Sequence, residues 1–141
     1  MENFRTTSTL VMAPADTSLS RIEAEKRKLK LHFPQFSIYD SGGTILEARG
    51  WLKTNAGNTY GILIKATSKY PYELPTVHPQ DWTVKSGTPH LYQGGSLCIM
   101  RAAQWTFSFT IAFVVAKTAL WLNKYEVFKT SGRWPGKGQT H

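Results

Sequence analysis

The chain has 141 residues and a formal net charge of +8, from 17 basic and 9 acidic side chains, and 41% of its residues are hydrophobic. That length and apolar content fit one packed domain and exclude a disordered chain, while a single cysteine excludes an intramolecular disulfide framework and fits a reducing, cytoplasmic setting. The charge favours an acidic partner without choosing among protein, nucleic acid and lipid head groups. His32, His78, His90 and His141 are too scattered for structural zinc, so no metal or other cofactor is expected.

Residues 1–16 read as a flexible N-terminal arm ending in the turn-prone Ala13-Pro14-Ala15-Asp16. The segment lacks a basic stretch followed by a long apolar core, so it does not read as a secretory signal. Ser20 and Glu23 have capping-box spacing and predict a helix start near Ser18 or Ser20. Ile22, Leu29 and Phe33 form its apolar stripe, and Arg21, Lys26, Arg27, Lys28 and Lys30 make the other face basic. Pro34 ends it.

Three extended segments follow, Phe36–Tyr39, Thr44–Lys53 and Thr59–Ala66, separated by Asp40-Ser41-Gly42-Gly43 and Asn55-Ala56-Gly57-Asn58. The second alternates imperfectly between apolar and polar positions. One helix followed by consecutive strands predicts an α+β domain built on an antiparallel meander. Residues 70–79 carry three prolines, leaving room for only a brief strand at Thr76–His78. Thr110 is a candidate N-cap for a long helix over about 111–129, apolar on nearly all sides in its first half. Trp105–Leu122 approaches the length of a membrane span, but Lys117 near its middle would be costly in lipid, so a buried helix is expected. Gly132 and Pro135 stop it, leaving residues 132–141 as a basic tail and 17–131 as the domain.

The chemistry concentrates between His90 and Ile111. Cys98, the only cysteine, lies between a glycine pair and an aromatic segment, where a loop gives way to short extended structure. That setting favours a presented thiol over a buried small hydrophobe. A cysteine–histidine hydrolase is disfavoured, because its pattern needs a histidine from a distant segment and an orienting group.

These landmarks together resemble the ubiquitin-conjugating (UBC-like) family. Tyr70-Pro71-Tyr72-Glu73-Leu74-Pro75 stands for its proline segment, Gly95-Ser96-Leu97-Cys98-Ile99 for its active-site sequence, and Trp105 to Ile111 for its tryptophan-to-helix junction. The resemblance covers about residues 18–129. It implies an N-terminal helix, a four-stranded antiparallel meander, an active-site loop and a long C-terminal helix. It also implies that Cys98 accepts an acyl group as a thioester and passes it to an amine. His90, Tyr92, Gly95, Ser96 and Trp105 would support the loop, and the basic first helix, with Arg21, Lys26 and Lys28, would dock a partner.

Where the family has His-Pro-Asn, this chain has His90-Leu91-Tyr92, so Tyr92 takes the asparagine's place. The acidic residue common after the helix junction is missing: none occurs between Asp81 and Glu126. With the Thr130–Gly136 ending, these departures resemble the stand-alone conjugating protein of bacterial CBASS antiphage islands. The implied partners are an activating enzyme or other acyl-donor protein, and a lysine-bearing target. The transferred group would be a ubiquitin-like modifier or the C-terminus of a nucleotidyltransferase, a cyclic-oligonucleotide synthase. A non-catalytic UBC-like binding module is the alternative. Nucleic acid is disfavoured as a partner, because most aromatics fall in strands or apolar helix instead of alternating with arginines.

Overall fold

In a computed structural model, residues 10–136 are described. Helix α1 spans Arg21–His32 and opens on the expected capping box: the Ser20 hydroxyl accepts from the Glu23 amide at 3.2 Å, and the Ser20 amide donates to the Glu23 carboxylate at 3.2 Å. The strands are β1 (Ser37–Ser41), β2 (Thr44–Lys53), β3 (Thr59–Lys65) and β4 (Thr76–Gln80), in the order β1-β2-β3-β4 with every neighbouring pair antiparallel. Helix α2 spans Ile111–Ser131; the Thr110 hydroxyl accepts from the Phe113 amide at 3.1 Å, and Gly132 ends it at φ 75°. This is the α+β arrangement that the resemblance implied. Among the described residues no helix is long and apolar enough to cross a membrane.

The imperfect alternation of β2 has a local cause. Tyr39 pairs with Glu47 and Asp40 with Ile45, so Leu46 is the extra residue of a bulge. Past it the inward face changes parity, which is why Ile45 and Ala48 are both buried while Leu46 is exposed. A Cβ on Gly50 would fall 2.4 Å from the Phe36 ring, so glycine there lets the aromatic lie flat on the sheet. Tyr60, Ile62, Ile64 and Val77 complete the sheet's inner face. Ile111, Ala112, Val114, Val115 and Leu122 of α2 are buried in the same core.

Two polar knots tie the helices to the rest, and neither was expected. Glu25 of α1 is fully buried. Its carboxylate accepts from Arg21 Nε at 2.8 Å, from the Tyr70 hydroxyl, and from the Ile111 amide at 2.8 Å. A carboxylate on that amide meets the positive end of the α2 dipole. Burial pushes the Glu25 carboxyl up, and Arg21, Tyr70 and the Ile111 amide pull the other way. The second knot lies at residues 10–16, the described part of the segment expected as a flexible arm. Residues 10–16 pack onto the domain: Leu10 is buried, Val11 bridges Phe109, and the Met12 amide donates to Ser108 O at 2.7 Å. Asp16 accepts from the Ala13 amide at 2.8 Å and pairs with Lys28 at 3.0 Å and Arg27 at 3.2 Å. Residues 1–9 and 137–141 lie outside the described residues.

Candidate active site

Cys98 is positioned by backbone, not by side chains. The Leu97 amide donates to Val77 O at 2.8 Å, which fastens the segment to β4. Leu91 and Leu97 form an antiparallel bridge that closes a tight loop. Within it the Tyr92 amide donates to Ser96 O at 2.9 Å and the Gly95 amide to Tyr92 O at 2.8 Å, and Gly95 takes φ 94° to make the reversal. The Cys98 amide then donates to His90 O at 2.9 Å. That carbonyl also accepts from Trp121 Nε1 at 3.1 Å, so α2 and the thiol segment share one anchor.

His90 therefore braces the loop through its main chain, at φ 60°. Its ring lies 4.8 Å from the ring of Trp134, and burial, then the charge of Lys124, holds its pKa below the usual imidazole range. Ser96 is buried within the loop. Trp105 packs against the proline turn: its Nε1 donates to Pro71 O at 2.8 Å and its ring sits 6.2 Å from Tyr70. The amides of Gly95 and Leu97 are both used inside the fold and are not open to a bound acyl group.

Cys98 is buried, 3% exposed, where a presented thiol was expected, because the loop packs it beneath Tyr92 and Met100; its thiol donates to Met100 O at 3.7 Å. The Tyr92 hydroxyl donates to the same carbonyl and also lies against the thiol. Burial, then the Cys98 neighbour, pushes the Tyr92 hydroxyl up to about 12. Burial also pushes the Cys98 thiol up, and the opposing interactions with the Tyr92 hydroxyl and the Met100 backbone do not outweigh it. Arg101 is exposed and does not offset this; what governs the thiol is desolvation. A raised folded pKa leaves less thiolate at neutral pH. Alkylation of Cys98 by iodoacetamide should thus keep accelerating above about pH 8.5, the ordinary range of a free thiol. A rate that levels off near neutrality would contradict this environment.

Cys98 opens onto a cleft of about 60 Å³ shared with Ile99, Lys117, Leu120, Trp121, Lys124 and Trp134. Trp134 lies within the segment expected as a basic tail. Its ring lies 5.3 Å from Trp121 and 6.2 Å from Phe128, so residue 134 makes one wall of the cleft. Sequence reasoning missed this wall and the two lysines. The available signal was the spacing of Lys117, Trp121 and Lys124, which puts all three on one face of α2.

The expected docking residues of α1 are not equivalent. Arg21 donates to Phe107 O and Phe109 O, each at 2.6 Å, as well as to Glu25, and Lys28 is buried against Asp16. Both hold the fold together. Lys26 is half-exposed and pairs with Asp40 at 2.8 Å.

A family model described as Type II CBASS E2 protein matches residues 25–141. The chain belongs to that family. Membership places this CBASS E2 protein in antiphage defence and among conjugation-type transferases, working with other CBASS proteins. No curated protein matches the chain. The matched span takes in β1 to β4, the Cys98 loop, all of α2 and the Trp134 segment.

Proposed function

We propose that this CBASS E2 protein is an acyl carrier whose nucleophile is Cys98. The Cys98 sulfur attacks the activated C-terminal carbonyl carbon of a donor: a new C–S bond forms, the carbonyl's bond to the donor's leaving group breaks, and the thiol proton goes to that leaving group. An amine, a lysine of a target protein, then attacks the same carbon. The C–N bond forms, the C–S bond breaks, and the amine proton goes to the departing sulfur. A thioester already carries much of the activation, so the protein's part is to position the amine and stabilise the developing oxyanion. Tyr92 supplies the side-chain hydroxyl beside the sulfur, and we assign it the oxyanion-donor role. The transferred group is the C-terminus of a nucleotidyltransferase that makes cyclic oligonucleotides, in place of a ubiquitin-like modifier.

The observation that carries this reading is the placement of Cys98. It is the only cysteine in the chain, it is fixed between β4 and α2, and it lines an open cleft. A cysteine kept only for packing would have no need of the cleft. The test loads the protein with candidate donor, activating enzyme and ATP, then compares reducing with non-reducing gels. A thiol-sensitive adduct that is lost in Cys98→Ala is expected, and adding free lysine should discharge it. An unchanged adduct in Cys98→Ala would rule out the nucleophile, and its complete absence with every donor would favour the non-catalytic binding module.

A further inference from the structure

The mechanism above leaves two charges in the cleft unused. Lys117 and Lys124 line it together with the thiol, and no acidic side chain does. Lys26, Lys28 and Lys129 each face a carboxylate, whereas neither cleft lysine has one among the described residues. Both are half-buried on the face of α2 that also presents Leu120 and Trp121. Trp134 stands across from them as an apolar wall. Two unpaired cations between two tryptophans, with no acid nearby, are complementary to an anionic, extended segment of chain.

From this geometry we infer that the cleft selects an acyl donor whose C-terminal segment carries acidic residues just upstream of the transferred carbonyl. The inference rests on the carrier reading of Cys98 and specifies the donor it takes. The helix sets the spacing: seven residues at 1.5 Å rise separate the lysines by about 10 Å. A segment in the polyproline II conformation advances about 3.1 Å per residue with about three residues per turn, so two carboxylates three positions apart share a face and lie about 9 Å apart, matching the pair. Leu120, Trp121 and Trp134 cover the apolar part of that segment. Charge pairs at a partly wet rim are individually weak, so the two together should contribute about five- to tenfold in affinity and fade with salt.

The test uses the full chain and fluorescein-labelled, glycine-rich decapeptide amides carrying two Glu, two Ser or two Lys, three positions apart. By fluorescence anisotropy at low salt, the Glu peptide should bind about five- to tenfold more tightly than the Ser peptide, and the Lys peptide more weakly than either. The difference should collapse near about 1 M salt. In Lys117→Glu/Lys124→Glu, with folding checked by circular dichroism, the order of Glu and Lys peptides should invert. Equal affinities for the Glu and Ser peptides would overturn the inference, and the salt series on the unaltered protein decides it even if the double variant misfolds. Preference for an oligothymidylate of the same charge over the Glu peptide would overturn it too. The same peptides as C-terminal thioesters separate the two readings. Selective binding without acylation of Cys98 by any peptide removes the carrier reading and leaves the acidic site. Equal binding with equal acylation does the reverse.

Discussion

Glu25→Ala is expected to destabilise the protein by about 3–5 kcal/mol in chemical denaturation. The carboxylate is fully buried and takes donors from three elements: Arg21 within α1, Tyr70 of the proline turn, and the first amide of α2. Removing it strands a partly buried guanidinium, whose remaining bonds to Phe107 O and Phe109 O satisfy hydrogens but not charge. It also removes an anion from the α2 N-terminus and leaves a cavity. Glu25→Gln keeps the volume and one acceptor, so its loss should be smaller. A loss below about 1 kcal/mol for the alanine variant, the size of an exposed pair, would mean that the knot does not organise the helices.

Tyr92→Phe is expected to slow thioester formation at Cys98 by about 10²-fold, the scale of losing one oxyanion donor. Two effects point the same way. The hydroxyl is the side-chain polar group against the sulfur, and its interaction there is one of the two contributions that lower the thiol pKa. Without it, burial acts with less opposition and the thiolate population falls further. Single-turnover acylation followed across pH separates the two. A drop that persists at high pH belongs to the oxyanion, and one that closes there belongs to the thiol. An unchanged rate would remove Tyr92 from the chemistry and leave its contact with Met100 O as a purely structural bond.

Much of the framework was legible because local rules fix it. The bounds of β2, the Ser20 capping box and the Thr110 cap depend on neighbours within a few residues, and each is found where the spacing predicts. What escaped depends on distant partners. Nothing about Glu25 in a basic helix signals that Ile111, far along the chain, will supply its third hydrogen bond. Asp16 reads as the end of an arm until Lys28 and Arg27 close on it. Trp134 follows a helix-stopping glycine and reads as tail, yet the left-handed turn at Gly132 returns it to the His90 ring. In the candidate site the thiol and its loop were readable as a motif. The Lys117–Trp121–Lys124 face needed the fold to show which side of α2 meets Cys98.

Whether Cys98 carries the acyl group is read most directly by intact-mass spectrometry after loading with a candidate nucleotidyltransferase donor. One adduct is expected, equal to protein plus donor minus one water, that maps to the Cys98 peptide, is released by excess thiol and is absent in Cys98→Ala. An adduct of the same mass that resists thiol, or that persists in Cys98→Ala, would place the bond elsewhere and contradict the carrier role of Cys98.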